Sequence, residues 1–229
     1  MNTPAQRPLH SRVAFVALAA ALVACLASPP RARAYPKPSP AKISWELDFQ
    51  HGTPTRITVR TGTDAAPRAY WYMTFTVTNN TNDEQTFLPV FELVDERGNV
   101  HRSDQNVHQA VFDAIKAREG KKLMEPISKA TGRLLVGADQ ARDSVAIWPE
   151  PMERMGTFQI FVGGLSGEAV WYKDGQETPL SKADWTKTKP EDAGTILRKS
   201  LEIDYHVPGD EYYPGRDRVI KKDERWVMR

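Results

Sequence analysis

The sequence of 229 residues predicts an all-β fold, an antiparallel β-sandwich with one inserted short helix and an irregular C-terminal extension. Three observations favour this class. First, about nine short segments alternate apolar and polar residues, which is the period of a half-buried strand. Second, residues that form turns separate these segments at short intervals. Third, only one segment, at about 107–119, carries its apolar residues at helical spacing.

The first half of the chain contains the clearest strand patterns. Ile43–Phe49 and Thr55–Arg60 alternate apolar and polar residues. Tyr70–Thr78 gives the strongest signal, because nearly all of its residues are β-branched or aromatic, and such residues suit a pleated surface. Thr86–Asp95 is predicted to be the next strand. Pro89 interrupts it, and since proline cannot donate to the ladder, we expect an edge or a bulge there.

The period then changes to that of a helix. Val107, Val111, Phe112 and Ile115 fall on one helical face, and Gly120 is placed to end the helix. These residues predict a single helix at about 107–119, inserted among strands.

Strand patterns resume after the helix, at 132–137, 143–149 and 157–164. The segment from Glu168 predicts a hairpin with Asp174 and Gly175 as its turn pair. Leu201–Val207 alternates again. The remaining tail is charged and rich in turn residues, so we interpret about 171–229 as an extension that departs from regular strand structure. Residues 43–229 are predicted to form a single domain.

The N-terminal residues 1–34 have the composition of a signal peptide. Basic residues precede an apolar run, Val13–Ala27, that is shorter than the roughly 20 residues of a membrane-spanning helix. Alanines at small-residue positions predict cleavage between Ala34 and Tyr35. An alternative is that the sequence LVAC is a lipobox, with lipid attached to Cys25. We favour cleavage after Ala34 because the apolar run continues past Cys25.

The charge and cysteine content of the mature chain exclude several function classes. Residues 1–34 hold four of the 31 Lys and Arg, which leaves 27 against 29 Asp and Glu in the remaining 195 residues, a net charge of −2. This balance carries no footprint for nucleic acid. Cys25 is the only cysteine, so intramolecular disulfides and thiolate zinc sites are excluded. Three prolines in residues 35–42 predict a stiff spacer ahead of the fold.

One segment carries a resemblance to a known family. In Phe75–Asp104 an Asn-rich turn precedes a strand of the form F-x-L-x-D-x-x-G, and residues 138–164 follow as two strands. This arrangement resembles exported bacterial immunoglobulin-like domains of the telokin-like type. The resemblance implies an immunoglobulin-like sandwich associated with the cell envelope, and it supplies no catalytic residues. The sequence departs from the family in the helix at about 107–119 and beyond Gly164.

A loose cluster of potential metal ligands lies at His101, Asp104 and His108. Histidine and carboxylate side chains hold divalent metals, but this spacing matches no ligand motif. We therefore favour solvated loop histidines and predict no metal site. Around Ser166 the segment GGLSGE lacks the glycine pattern of a hydrolase elbow, so we interpret it as a flexible turn and predict no catalytic residues.

Tyr70 and Tyr72 lie together on the face of their strand opposite Trp71. If that face were exposed, the two rings could stack on sugars. We favour a covered face, packed beneath the helix or the C-terminal tail, because large aromatic side chains are mostly core.

Together these patterns predict a non-catalytic exported module of the periplasm or cell envelope, with no cofactor and no membrane-spanning segment in the mature chain. Its partner would be a protein or a glycan of the envelope, bound at loops or at an open strand edge such as the Pro89 strand. The alternatives are a carbohydrate-binding module that uses Tyr70 and Tyr72, and a metal-dependent enzyme at His101, Asp104 and His108.

Overall fold

The computed structural model describes residues 36–63, 65–152, 155–173, 176–179, 194–208 and 218–229. In these residues the strands form two large β-sheets and a separate two-stranded pair. Tyr35–Arg229 forms one compact unit. The predicted signal peptide and its alternative processing residues Cys25, Ala34 and Tyr35 lie outside the described residues. In the described part of the chain, no helix has both the length and the apolar character needed to cross a membrane.

The strands follow one another along the chain with two helices among them. The first nine strands are β1 (Asp48–His51), β2 (Thr55–Val59), β3 (Arg68–Thr78), β4 (Gln85–Phe87), β5 (Val90–Val94), β6 (Val100–Arg102), β7 (Glu125–Pro126), β8 (Gly132–Leu134) and β9 (Arg142–Pro149). They are followed by β10 (Thr157–Gly163), β11 (Ala169–Lys173), β12 (Gln176–Pro179), β13 (Thr195–His206) and β14 (Ile220–Met228). Helix α1 spans Gln109–Glu119, helix α2 spans Ile127–Ala130, and a 3₁₀ turn spans Ala138–Gln140.

The smaller sheet is built around β3. Strands β1 and β2 pair one after the other along one side of β3, β9 pairs along its other side, and β7 joins β9 in parallel. The larger sheet has the order β6-β5-β10-β13-β14. Strand β11 continues the line of β10 along β13 and forms a hairpin with β12. This hairpin confirms the predicted one, whose turn residues Asp174 and Gly175 lie outside the described part.

The core lies between the two sheets, as the alternating patterns predict. Trp71, Met73, Phe75 and Val77 of β3 are buried against side chains from β5, β10 and β13. The ring centroids of Phe75 and Phe91 are 4.8 Å apart across the sheets. The predicted all-β sandwich is therefore confirmed.

Helix α1 covers the outer face of the smaller sheet. Val111, Phe112 and Ile115 pack with Tyr70, Tyr72 and the outward residues of β9 in a second apolar cluster. The helix begins two residues later than predicted because His108 caps it, accepting the Ala110 amide at its ring nitrogen. Gly120 ends the helix with a φ of 65°, the left-handed conformation that glycine adopts freely.

Pro89 marks a change of sheet. The predicted single strand Thr86–Asp95 is divided into β4, which pairs with β8, and β5, which lies between β10 and β6 in the larger sheet. Proline removes a ladder donor at the point where the chain changes partners. The prediction that this strand offers an open edge is wrong for β5, which is paired on both sides, whereas β4 pairs only with β8 among the described strands.

The C-terminal extension is part of the sandwich. The strand pattern predicted at Leu201–Val207 is confirmed by β13, whereas the prediction of an irregular tail after it is wrong. Strand β13 is the longest strand described, and β14 pairs with it over Lys199–His206. The tail did not alternate in sequence because β14 is an edge strand with a run of charged residues, a composition that protects sheet edges from aggregation.

The first described residues, from Pro36, pack against the domain, and the first strand begins later in the sequence than predicted. Pro36 is buried, and the amide of Ser39 donates to Oε1 of Glu168 at 2.7 Å. The segment predicted to be a stiff spacer at 35–42 therefore contacts the domain in the part that the structure describes. The predicted strand Ile43–Phe49 is also shorter, since β1 begins at Asp48 and Ile43 is exposed.

The GGLSGE segment connects β10 to β11 within the larger sheet, as the interpretation of a turn between strands predicts, and backbone contacts with the N-terminal residues hold it in place. Leu165 is fully buried in the core, and its carbonyl accepts the amide of Leu47 at 2.9 Å. The amide of Gly167 donates to the carbonyl of Trp45 at 3.1 Å. Gly164 has a φ of 84°, and a Cβ there would collide with the backbone of Leu88.

A buried lysine joins three separate parts of the chain. Nζ of Lys199 lies 2.5 Å from Oε1 of Glu46 and 3.3 Å from Oε2 of Glu168, and the side chain is 5% exposed. Trp226 lies beneath the ammonium, with its ring centroid 5.0 Å away. Burial alone would lower the pKa of Lys199, but hydrogen bonds to the two carboxylates outweigh burial and raise it.

We expect Gly164→Ala to lower the free energy of unfolding by more than about 2 kcal/mol, because an L-residue is strained at this φ and its Cβ meets backbone. Gly98→Ala is the matched control. Gly98 has a φ of 82°, and a Cβ added there would meet no atom within 4 Å, so only the conformational cost of about 1 kcal/mol applies. Urea unfolding followed by tryptophan fluorescence measures both. Equal losses for the two variants would contradict the close contact between Gly164 and the backbone of Leu88.

We expect Lys199→Met to lower the free energy of unfolding at pH 7 by about 3–5 kcal/mol, because two buried carboxylates lose their counter-charge. Lys42→Met is the control. Lys42 lies 3.7 Å from the same carboxylate of Glu46, but its side chain is 73% exposed, so its loss stays below about 1 kcal/mol. Chemical denaturation measures both, and a loss at Lys199 as small as that at Lys42 would contradict the role given to the buried cluster.

Candidate functional site

A groove on the outer face of the larger sheet is the candidate site, and it is called the outer groove below. Strands β5, β10 and β13 contribute the side chains that alternate with their core residues. Its volume is about 660 Å³, within the range of ligand pockets. Its lining residues are Trp45, Thr86, Leu88, Val90, Glu92, Phe161, Gly163, Gly164, Ser166, Gly167, Arg198, Ser200 and Arg229.

Glycines create the concavity. Gly163 faces Val90 across the β5–β10 ladder, and a Cβ on it would lie 3.6 Å from Val90 and 3.7 Å from Oγ of Ser200. Without a side chain at Gly163, the floor of the groove is backbone there, whereas the side-chain space of Gly164 is filled by the backbone of Leu88. Gly167 packs directly against Trp45, which closes one end of the groove.

Phe161 and Arg229 form the most distinctive contact of the outer groove. The guanidinium carbon of Arg229 lies 3.9 Å from the ring centroid of Phe161, and its Nη2 lies 3.0 Å from Oε2 of Glu92. This pairing holds the arginine across an aromatic surface. Arg198 is exposed beside it, so the lining carries two guanidinium groups and one carboxylate.

The lining of the outer groove combines apolar and charged side chains. Leu88, which is 59% exposed, lines it with Val90, Phe161 and Trp45 and offers apolar surface. Oγ of Ser200 donates to the carbonyl of Arg198 at 3.3 Å. Apolar surface beside guanidinium groups suits a ligand that carries both an apolar group and a carboxylate.

Ser166 also lines the outer groove. Its Oγ accepts the Glu168 amide at 3.1 Å, which engages the hydroxyl with the backbone of the segment that joins β10 to β11. Its contacts in the described part of the chain are thus those of a structural residue.

Tyr70 and Tyr72 are covered by helix α1, so the hypothesis of an exposed sugar-stacking face is wrong. Their exposed fractions are 5% and 2%. The hydroxyl of Tyr72 donates to Oε1 of Glu119 at 2.6 Å. Burial, followed by this hydrogen bond, raises the pKa of Tyr72 well above its usual range. The favoured interpretation, a face packed beneath the helix, is confirmed.

His101 stabilises the turn between β5 and β6. Its Nε2 lies 3.0 Å from Oδ2 of Asp95, the aspartate of the F-x-L-x-D-x-x-G segment. Oδ1 of Asp95 also accepts the amides of Arg97 and Asn99 at 2.9 Å. Burial alone would raise the pKa of Asp95, but the hydrogen bonds from His101 and Asn99 outweigh burial and lower it to about 2. The motif that carries the family resemblance therefore stabilises the β5–β6 turn.

The structure does not bring the three metal candidates into one site. His101 contacts Asp95, His108 caps helix α1, and Asp104 lies in the connecting turn with a φ of 59°. Across the described ranges, no group of three or more His, Cys, Asp or Glu side chains is placed to hold a metal ion. That the chain functions without a metal stays a prediction.

Sequence reasoning missed the residues of the outer groove. Phe161 was visible as an aromatic residue at an outward position of an otherwise regular strand, and Gly163 and Gly164 lie just after it. These two signals could have found the groove. Arg198 and Arg229 gave no signal, because their approach to Phe161 depends on the pairing of β13 with β10 and β14.

No family model, no curated protein and no solved structure matches this chain. The resemblance to immunoglobulin-like domains of the telokin-like type therefore stays a prediction.

We expect Asp104→Asn to stabilise the protein at pH 8 and to have no effect at pH 4. Burial raises the pKa of Asp104 from 3.8 to about 6, and its Oδ2 has no partner in the described structure. Because the pKa is higher in the folded state, stability is lost as pH rises through about 6. Asparagine tolerates the positive φ.

The gain in the free energy of unfolding should be about 1–3 kcal/mol at pH 8 and should vanish below about pH 4, where both states are protonated. Denaturation at a series of pH values measures it. If the gain in the free energy of unfolding were the same at every pH, burial of the Asp104 carboxylate would not destabilise the folded state.

Proposed function

We propose that this protein is a non-catalytic, exported binding module of the cell envelope, and that the outer groove holds an extended polypeptide segment of its partner. The observation that carries the proposal is the groove itself. It combines exposed apolar surface at Leu88 with the guanidinium group of Arg229 held over Phe161, and with backbone at Gly163 that a partner can approach.

Exposed apolar surface favours a polypeptide over a sugar as the occupant. Leu88 and Val90 give the groove an aliphatic wall, which suits an apolar side chain. Arg198 and Arg229 suit a carboxylate on the same segment. The alternative of carbohydrate binding through Tyr70 and Tyr72 loses its basis, since helix α1 covers both rings.

The engagement of the polar groups supports a non-catalytic role. Ser166 accepts a backbone amide, His101 is paired with Asp95, and His108 caps a helix. A nucleophile needs a neighbouring base within hydrogen-bond reach, and these three residues instead make structural contacts within the described part of the chain.

The proposed location is outside the cytoplasm, because residues 1–34 have the pattern of a signal peptide. Cleavage after Ala34 would release the domain, whereas lipid on Cys25 would anchor it. The packing of Pro36 and Ser39 limits any tether to residues 26–35. Ten extended residues reach at most about 35 Å, so a lipid-anchored domain would stay close to the membrane.

We expect the mature chain, residues 35–229, to bind short synthetic peptides that carry an apolar residue next to acidic residues. Phe161→Ala should weaken that binding by at least about tenfold, because it removes the aromatic surface and the support of Arg229. Leu123→Ala is the control, since Leu123 is 83% exposed and lies outside the groove lining. A peptide array selects the probes, and fluorescence anisotropy measures the affinities.

Circular dichroism establishes that both variants are folded. Retention of no apolar–acidic peptide by the unmodified chain, or equal affinity of the two variants, would overturn the proposal.

A further inference from the structure

A second concavity lies where an edge of the smaller sheet meets an edge of the larger one, and it is called the edge cleft. Strand β2 forms one side, and the start of β14 with the residues before it forms the other. Its volume is about 690 Å³. It is lined by Thr53, Pro54, Thr55, Arg56, Trp71, Arg118, Arg218, Val219, Ile220 and Lys221, and it shares no lining residue with the outer groove.

The edge cleft is strongly basic. Arg56 comes from β2, Arg118 from helix α1, and Arg218 and Lys221 from the region of β14. Among the described residues that line it, these four carry positive charge and none carries negative charge. The mature chain as a whole has a net charge of −2, so this concentration of positive charge is local.

Nearby carboxylates neutralise only part of this charge. Glu150 pairs with Arg56, with Nε to Oε1 at 2.5 Å and Nη2 to Oε2 at 3.0 Å. Glu224 accepts from Lys221 at 2.9 Å. Both carboxylates lie outside the lining, and they balance Arg56 and Lys221, which leaves the charges of Arg118 and Arg218 in excess among the described lining residues.

Arg118 is held in place by neutral groups. Its Nη1 donates to the carbonyl of Arg56 at 3.0 Å, and its guanidinium carbon lies 6.0 Å from the ring centroid of Tyr72. The neighbouring carboxylate of Glu119 accepts the hydroxyl of Tyr72. These contacts fix the position of the guanidinium of Arg118 and leave donors of its fork for another acceptor.

A buried donor also lines the edge cleft. Trp71 is 1% exposed, and its indole N–H has no hydrogen-bond partner in the described structure. Buried polar groups are nearly always hydrogen-bonded, so an unpaired donor beside a cavity is consistent with an acceptor that a ligand supplies. Arginine, lysine and indole groups donate hydrogen bonds and accept none. Apart from the hydroxyls of Thr53 and Thr55, the polar side chains of the lining are therefore donors only.

We propose that the edge cleft binds a phosphate group carried by a larger ligand. Planar guanidinium forks match phosphate oxygens with paired hydrogen bonds, and phosphate accepts from several donors at once. The cleft is far larger than one phosphate ion, which leaves room for the moiety that carries it. A phospholipid headgroup and a soluble phosphorylated sugar both supply this chemistry. The site is independent of the proposed peptide groove.

Titration of the ¹⁵N-labelled mature chain with glycerol 3-phosphate tests the proposal. We expect the indole N–H signal of Trp71 to shift saturably, with the signal assigned by Trp71→Phe. Trp148 is an internal control, because its indole N–H is also buried and unpartnered in the described structure but lies outside the cleft lining. Its signal should stay in place. Absence of a saturable shift at Trp71, or equal shifts at both indoles, would overturn the proposal.

Two arginine variants test the charge requirement. The double variant Arg118→Gln, Arg218→Gln should weaken glycerol 3-phosphate binding by at least about tenfold. The control is Arg60→Gln combined with Arg97→Gln, which removes the same charge at exposed positions outside the lining. Equal affinity of the two double variants would show attraction by net charge alone and would overturn the site.

Sedimentation with vesicles then separates the two sources of phosphate. Vesicles of phosphatidylglycerol in phosphatidylcholine, compared with phosphatidylcholine alone, present an anionic headgroup. Retention that Arg118→Gln with Arg218→Gln abolishes supports a lipid headgroup as the ligand. A saturable shift with glycerol 3-phosphate but no retention on vesicles supports a soluble phosphorylated ligand.

Discussion

The ion pairs of Lys199 connect three parts of the chain that are distant in sequence. Its ammonium contacts Glu46, which follows the N-terminal segment, and Glu168, which ends the segment that joins β10 to β11. Glu168 in turn accepts the amide of Ser39. Charges this buried are stable only when paired, so the three segments are tied to one another. The end wall of the outer groove depends on this cluster, because Trp45 and Gly167 lie one residue from Glu46 and Glu168.

The sequence predicted the strands whose side chains alternate between core and solvent. Strand β3 and helix α1 were found because Trp71 and Phe75, or Val111 and Ile115, repeat with the period of their element. Strand β14 was missed, since an edge strand with one solvated face carries charges in place of alternation. The change of sheet at Pro89 was missed for another reason. Whether a proline bulges a strand or divides it depends on partners such as β8, which lie far away in sequence.

The chemistry-bearing residues that attracted attention in the sequence proved to be structural. His101 fixes a turn through Asp95, His108 caps a helix, and Tyr72 packs beneath that helix. Short-range clusters of polar residues are common in turns because turns need side chains that bond the backbone. Both concavities are instead assembled from residues distant in sequence, such as Arg56 and Arg218, which only the meeting of two sheet edges brings together. A single sequence carries no signal of that kind.

The two concavities place different demands on a chain whose mature net charge is −2. The outer groove has nearly balanced charge and apolar walls, so burial of apolar surface would supply most of its affinity and salt would change it little. The edge cleft is basic and open, so its affinity for an anion falls as salt rises. At an anionic membrane the rest of the domain would be repelled, and the proposed phosphate site would make the edge cleft the surface that faces the lipid. Attraction at the cleft would therefore orient the domain on the membrane. Because the outer groove shares no lining residue with the cleft, a partner could still reach the groove in that orientation.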